Sequence, residues 1–409
     1  MKLSVRTVKN GLLIVLSAIV YVLIIHSNIY AQSPVPDGAK VQRIKTGYQF
    51  VEGPLWREPG YLIFSDIPAN TVYKWSPDGS VETFLKPSGN SNGLAADLEG
   101  RVLLAQHGKR SISRLEADGT ETELATHFDG KRLNSPNDLA VKSDGSIYFT
   151  DPPYGINSSQ EELGYYGIFR ISADGQLYLL DNSLTRPNGI VFSPDEKKLY
   201  VNDSQARKIY VWDVENDSTL ANKKLFATMT GGGAADGMKV DTNGNLYSTG
   251  PGGIWIFKPD GSVLDKIPVS ESTTNLNWGD ADRKALYITA DKSIYSIRLN
   301  ATGITTKISP DNPSALPSHI ELYKNYPNPF NPSTTITFRL TKPDLVVLQI
   351  FDIQGKLVKT ITNDYISAGE HRFIWNARNN AGRTVSSGLY FYRLISNTAI
   401  LYGKMVYVG

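Results

Sequence analysis

No cysteine occurs among the 409 residues. The chain therefore has no disulfide, no thiol nucleophile and no cysteine-ligated zinc, and its stability must rest on packing and on any cation it holds. A basic surplus is also missing. Net charge is +2, and Lys2, Arg6 and Lys9 supply three positive charges before residue 32 with no acidic residue beside them, which leaves the remainder near −1 (2 − 3). That balance does not point to a nucleic-acid partner. The apolar run from Gly11 to Ile25 is short of the roughly 20 residues that a membrane-spanning helix needs. With its basic start and the SNIYAQS that follows, it reads as a secretory signal peptide over residues 1–31, cleaved after Ala31, with an uncleaved anchor as the alternative. No long helical periodicity interrupts residues 40–308.

What the chain has instead is a repeat. Hydrophobic residues make up 41% and charged residues 20%, with 22 Tyr and 14 Phe, a composition suited to an all-β chain. A polar residue followed by a short apolar strand recurs at Glu52 (EGPLW), Asn92 (NGLAAD), Asn137 (NDLAV), Asn188 (NGIVFSPD), Asp236 (DGMKVDTNG) and Asn275 (NLNWGDAD). The copies are 40, 45, 51, 48 and 39 residues apart. Each continues into a second strand (YLIFSD, RVLLAQ, SIYFTD, KLYVND, NLYSTG, ALYITA), and most add a third with an Asp-Gly turn, as in VYKWSPDG. Alternating strands joined by such turns are hairpin signals. Repeats of this length predict a β-propeller with one blade per copy, hence six blades over residues 40–308. The strand within KVQRIKTGYQF is expected to close the ring by joining the last blade, which removes an exposed edge.

The six polar positions share one phase and should face the central channel. Two carboxylates and four carboxamides converging on one axis look like a site for a hard cation. The bland alternative for Asn92 and Asn275 is a turn cap or a bond to the neighbouring blade. His107 can line the channel as a hydrogen-bonding group or serve as a base. Asp151 and Asp203 end their strands, either supporting the site or closing turns. The run from Gly89 to Gly93 matches the G-x-S-x-G nucleophile elbow, but that motif needs a strand-to-helix turn in a parallel sheet, so Ser91 is not expected to be a nucleophile.

Residues 309–319 contain the Pro/Ser-rich linker SPDNPSALPS. Strands TTITFRL, VVLQIFDI, HRFIWNA, LYFYRLI and LYGKMVYV then predict a small immunoglobulin-like β-sandwich over residues 320–409. Its opening PNPFNPST, with IFDIQGKLVKTI, SGLYFYRL and GKMVYV, resembles the C-terminal sorting domain of type IX secretion cargo. That resemblance implies the outer-membrane type IX machinery as a partner, and a protein that is secreted or attached to the outer cell surface. A plain immunoglobulin-like spacer is the alternative.

The phrases EGPLW, NSPNDLAVKSDGSIYFTDPPYG, RPNGIVFSPDEKKLYVND and ADGMKVDTNGNLY resemble the gluconolactonase family that includes regucalcin. The resemblance covers about residues 45–300 and implies a lactone hydrolase with one divalent cation held by Glu52, Asn188 and Asp236. It makes Asp236 the acid/base as well, and gives Asn137 a contact to substrate or to a cation-bound water. Calcium is the expected cation, with magnesium, manganese or zinc as alternatives; an all-oxygen set suits the first three better than zinc. The animal branch has an arginine two residues before the Asn137 position, where this chain has Ser135. Ser135, Asn92, His107 and Asn275 remain candidates around the substrate, and Arg132, Arg110 or His107 would have to replace the missing donor. A small-molecule lactone is the expected partner and a monomer the expected state. The other function class is a non-catalytic calcium- or sugar-binding propeller displayed at the cell surface.

Overall fold

Each copy of the repeat folds into one antiparallel four-stranded sheet, and there are six of them. The structure is a computed structural model that describes residues 33–58, 60–304, 320–341, 343–353, 355–396 and 400–409. The signal-peptide segment and the 309–319 linker lie outside the described residues. Blade one runs from Val51–Arg57 to Val81–Leu85, blade two from Ser91–Ala96 to Glu121–Ala125, and blade three from Leu139–Val141 to Leu177–Asp181. Blade four runs from Pro187–Phe192 to Leu220–Thr228, and blade five from Met238–Val240 to Val263–Pro268. Blade six takes Thr273–Gly279, Ala285–Ala290 and Ser293–Arg298 and borrows Gln42–Thr46, which pairs antiparallel with Ser293–Arg298. The ring closes through that strand, so no blade keeps an open flank at the junction.

Inner strands are covered on both faces by neighbouring blades and read as nearly unbroken apolar runs. Tyr61–Asp66 and Val102–Gln106 are buried almost throughout, whereas the outermost Val81–Leu85 is partly exposed and polar. Six apolar clusters fill the junctions, one between each pair of adjacent blades. Trp278 and Tyr247 meet edge to face at 4.9 Å between blades five and six, and Tyr148 and Phe192 do so at 4.8 Å between blades three and four. Each such side chain, fully buried, stabilises the fold by about 1.5–3 kcal/mol. Asp-Gly turns link the outer strands: Gly79 has φ +87°, and the Asp78 carboxylate accepts the Ser80 N–H at 2.9 Å.

Blades are also tied by polar contacts near the axis. The side chain one residue before the end of the second strand reaches the next blade: Ser65 Oγ lies 2.9 Å from Ser91 Oγ, and Thr150 Oγ1 donates to the Asn188 carbonyl at 2.7 Å. Asn202 Nδ2 donates to the Asp236 carbonyl, and Thr249 Oγ1 to the Thr274 carbonyl at 3.2 Å. Thr274 Oγ1 completes the circuit by donating to the Val51 carbonyl at 2.7 Å. Such close passage explains the glycine that follows four of the six channel residues. A Cβ on Gly53 would come within 2.2 Å of the Asn92 carbonyl oxygen, and one on Gly189 within 2.2 Å of the Asp236 carbonyl oxygen.

The C-terminal unit is a sandwich. Ile320–Leu322, Thr334–Leu340 and Gly369–Trp375 form one sheet; Leu357–Ile366, Asp344–Phe351, Gly388–Ile395 and Ile400–Tyr407 form the other. Ile320–Leu322 and Leu357–Ile366 are strands that the sequence pattern does not single out, and both lie at sheet edges. The PNPFNPST phrase packs this unit from within. Phe330 is buried against Trp375 and Tyr407, and Asn328 bonds the Lys404 carbonyl and the Val406 N–H. Among the described residues the only helical turn is the 3-10 segment Ser158–Gln160, and none is long and apolar enough to cross a membrane.

The ring predicts a contrast between two glycines. Gly189→Ala must push the Asp236 carbonyl aside, an overpacking cost of about 1–3 kcal/mol, so its melting temperature should fall by roughly 5–10 °C. Gly232 has open space around it and no positive φ, so Gly232→Ala should melt within about 2 °C of wild type. Thermal melts of the two variants check this.

Candidate active site

All six repeat-phase residues lie where the ladder of an innermost strand is interrupted. The pairing with the second strand shifts between Glu52 and Leu55, Ser91 and Leu94, Pro187 and Ile190, and Thr273 and Asn275. Asn137 and Asp236 stand just before Leu139–Val141 and Met238–Val240. A bulge or an unpaired start frees the residue from the alternation of the strand and aims its side chain down the axis.

A carboxylate at the end of the second strand fixes the entry to three of these strands. Asp66 accepts the N–H groups of Gln49 and Phe50 at 3.0 and 3.1 Å; Asp151 accepts those of Asn134 and Ser135, both at 2.7 Å. Asp203 accepts those of Thr185 and Arg186 at 2.9 and 3.0 Å. In each case the second clamped amide lies two residues before the channel residue (Glu52, Asn137, Asn188). Asp151 and Asp203 are thus positioning groups that hold backbone.

Glu52, Asn188 and Asp236 come together. Glu52 is 1% exposed, and its Oε2 accepts from the Gly53 N–H at 2.8 Å and from Asn275 Nδ2 at 3.0 Å. The Asp236 carboxyl contacts Glu52 and the Asn188 carboxamide. Burial, and then the Asp138 charge, push the Glu52 carboxyl up to about 7. Burial followed by the charges of Glu52 and Asp138 holds Asp236 well above the usual carboxylate range. Asp236 is nonetheless only half-buried, because it lines the open channel. Asn188 Oδ1 and Asp236 Oδ1 are enclosed yet have no hydrogen-bond partner. Two carboxylates and an amide oxygen with unfilled lone pairs fit a hard divalent cation, which takes oxygen ligands and would complete their coordination. Among the described residues, no group of three or more His, Cys, Asp or Glu side chains is placed to hold a metal, so a cation at this point would take the neutral Asn188 as its third ligand.

The remaining candidates divide. Asn275 bridges Glu52 and, at 3.4 Å, Asp138 Oδ2. Asn137 is buried, and its carbonyl accepts the Gly93 N–H at 2.8 Å. Asn92 Nδ2 donates to His107 Nε2 at 3.0 Å, while Asn92 Oδ1 has no partner. Burial pulls the His107 imidazole down to about 4, so it is neutral near pH 7 and accepts at Nε2. Ser135 Oγ accepts the Gly155 N–H at 2.8 Å, which fastens the TDPPYG loop across the channel rim. Arg110 and Arg132 do not supply the missing donor. Arg110 is buried, binding the carbonyls of Leu133, Asn134 and Gln160, and Arg132 donates to the Lys109 carbonyl.

Sequence reasoning missed four residues. Asp138 is 2% exposed, and its charge acts on both Glu52 and Asp236. A signal existed: Asp138 holds the repeat position that is Gly in four other blades. Lys239 is the cation whose charge offsets Glu52 and Asp138. Tyr154 contacts Asn188 and Ser204 within reach of the Asp236 charge, and the Arg186 guanidinium lies 5.4 Å over its ring.

Residues 50–292 match the family model described as the SMP-30/Gluconolactonase/LRE-like region, and residues 328–399 match that of the FlgD Ig-like domain. A gluconolactonase of Zymomonas mobilis is 37% identical over 293 residues, 64% of this chain and 82% of the relative. The structure of a gluconolactonase from Xanthomonas campestris shares 34% identity at a TM-score of 0.62, covering 66% of this chain and 92% of that one. A calcium-binding regucalcin from Agrobacterium tumefaciens has the same fold at 19% identity and a TM-score of 0.57, over 66% of this chain and 96% of its own.

The raised carboxyls set a pH dependence for the cation-free protein. A carboxyl whose folded value exceeds its unfolded value binds protons more tightly when folded, so it favours the fold below the unfolded value and disfavours it as pH rises through the folded one. Each pKa unit of difference is worth about 1.4 kcal/mol. With Glu52 moved from 4.5 to about 7, and Asp236 and Asp138 raised in the same direction, the melting temperature in chelator should fall between about pH 4.5 and 7. Glu52→Gln should flatten part of that slope, read by melts at a series of pH values.

Proposed function

The chain belongs to the SMP-30/gluconolactonase/LRE-like family, and on that premise we propose that it opens a sugar-acid or similar lactone with a divalent cation, calcium first, bound by Glu52, Asn188 and Asp236. The observation that carries the cation assignment is the pair of enclosed, unpartnered oxygens, Asn188 Oδ1 and Asp236 Oδ1, beside Glu52. A cation there supplies Lewis acidity, polarising the lactone carbonyl and stabilising charge on its oxygen by several kcal/mol.

The protein's own groups do the rest. Asp236 is the half-buried carboxyl of the channel, in contact with Glu52 and Asn188. It is the candidate to take a proton from the attacking water and return it to the ring oxygen as the acyl C–O bond breaks, leaving a hydroxy acid. Glu52 holds its place through Gly53 and Asn275 and keeps a negative charge facing Asp236. That arrangement raises the proton affinity of Asp236, and a bound cation would lower it, so the two effects together would bring the carboxyl toward the working pH. His107, neutral and bonded to Asn92, remains the reserve base on the channel wall.

Export is the second part of the proposal. The match to a FlgD Ig-like domain over residues 328–399, the PNPFNPST phrase and the basic-apolar N-terminus support a chain delivered by the type IX machinery and released from, or attached to, the outer surface.

A screen of sugar-acid lactones, metal by metal, tests the activity. Chelation should abolish turnover and lower the melting temperature together, because a ligand bound only by the native state stabilises it by mass action; calcium should restore both. At saturating cation, Asp236→Asn should remain about 100- to 10,000-fold lower in kcat, whereas Asn188→Ala should recover in part. Full activity in a protein shown to be metal-free, or wild-type kcat in Asp236→Asn, would refute the assignment. Truncation after Pro317 should leave lactone hydrolysis nearly intact yet hold the protein in the periplasm of its host, checked by cell fractionation; normal surface delivery would contradict the sorting role.

A further inference from the structure

Arg186 stands two residues before the channel residue of blade four, in the same repeat phase as Phe50 in blade one and Ser135 in blade three. Its backbone is held on both sides: the N–H donates to Asp203 Oδ1 at 3.0 Å, and the carbonyl accepts the Ser204 N–H at 2.9 Å. Its guanidinium is not. Among the described residues no hydrogen bond and no ion pair engages it; the guanidinium lies 5.4 Å from the centre of the Tyr154 ring, and its charge also reaches the Tyr166 hydroxyl. Asp203, the carboxylate that clamps its backbone, is already taken by the N–H groups of Thr185 and Arg186 and the Thr185 hydroxyl. Arg186 is half-buried, and Tyr154 is 38% exposed. The pair therefore lies where a ligand can reach it.

Tyr154 fixes the distance from Arg186 to the chemistry. Its hydroxyl contacts the Asn188 and Ser204 side chains, within reach of the Asp236 charge. Its loop is tied down because the Gly155 N–H donates to Ser135 Oγ at 2.8 Å, and Gly155 packs so closely there that a Cβ would come within 2.3 Å of that oxygen. A fork of unengaged N–H donors is thus stacked on an aromatic ring beside the reacting carboxylate. A guanidinium in that state matches the geometry of a carboxylate or phosphate, which it binds by paired hydrogen bonds.

We propose that Arg186, seated on Tyr154, determines specificity by binding an anionic substituent of the lactone, so that the preferred substrates are sugar lactones carrying a phosphate or a second carboxylate away from the ring carbonyl. This rests on the lactonase reading of the same site. The neutral lactone ring lies over Glu52, Asn188 and Asp236, and the charged end points outward along the face of Tyr154.

The test compares three substrates with the full-length, calcium-loaded protein: glucono-1,5-lactone, its 6-phosphate, and the monolactone of glucaric acid. Wild type should favour at least one charged lactone over the neutral parent by about 10-fold or more in kcat/KM, and the two charged substrates distinguish phosphate from carboxylate. Arg186→Met should cut that ratio by about 10- to 100-fold, through KM rather than kcat, the loss expected for a charge-assisted bidentate contact. Arg186→Lys should retain part of it. An unaltered ratio in folded Arg186→Met, or a wild type that favours the neutral lactone, overturns the inference while leaving lactone hydrolysis standing. Should no lactone be turned over, the lactonase reading fails, and calorimetric binding of 6-phosphogluconate still judges Arg186: binding lost in Arg186→Met and partly kept in Arg186→Lys supports the anion site, and equal binding in all three overturns it.

Discussion

Three carboxyl groups share one narrow channel, and they cannot all be charged at close range in a poorly solvated space. Burial raises the proton affinity of Glu52, Asp138 and Asp236. The Asp138 charge adds to it at Glu52, the charges of Glu52 and Asp138 add to it at Asp236, and Lys239 offsets it at Glu52 and Asp138. Burying an unpaired charge costs several kcal/mol, so the native protein must either keep protons on these groups or bring in a cation. The same constraint makes the site receptive to hard ions, gives it bases of unusual strength, and couples its protonation to the stability of the ring.

That repulsion is tolerable only because the surrounding backbone does not yield. Each innermost strand is held by hydrogen bonds from the blade before it, as with Thr150 to Asn188 and Asn202 to Asp236. Blade six is fastened to blade one twice at the axis, through Thr274 to Val51 and Asn275 to Glu52. The closing strand Gln42–Thr46 seals the outer edge of the same blade. The positions of Glu52, Asn188 and Asp236, on blades one, four and five, are therefore fixed by a closed circuit of contacts, and no loop has to be ordered to bring them together.

The fold was legible in the sequence because a propeller repeats its physics. A polar residue, a buried strand, a turn and another strand recur six times, and their shared phase singled out the six polar positions at the starts of the innermost strands. What escaped was whatever departed from the repeat. Asp138 occupies a glycine position, and Lys239 stands where the other five copies carry an apolar residue, so a search for common features passed over both. Arg186 and Tyr154 come from different blades and meet only in space. The sandwich strand Leu357–Ile366 lies at a sheet edge with a largely polar face, so it lacks the alternation that betrays a strand covered on one side.

The clamps at Asp66, Asp151 and Asp203 hold Phe50, Ser135 and Arg186 by their main-chain N–H groups alone and do not bond the side chains of those three. Phe50, Ser135 and Arg186 accordingly differ in size, charge and polarity while their backbones are secured in the same way. The propeller thereby separates two inheritances: an inner layer whose oxygens must stay in register, and a rim whose side chains can be exchanged one at a time without disturbing it. A new substrate preference is then reachable by single substitutions at the rim, each starting from an enzyme whose reaction centre is already in working order.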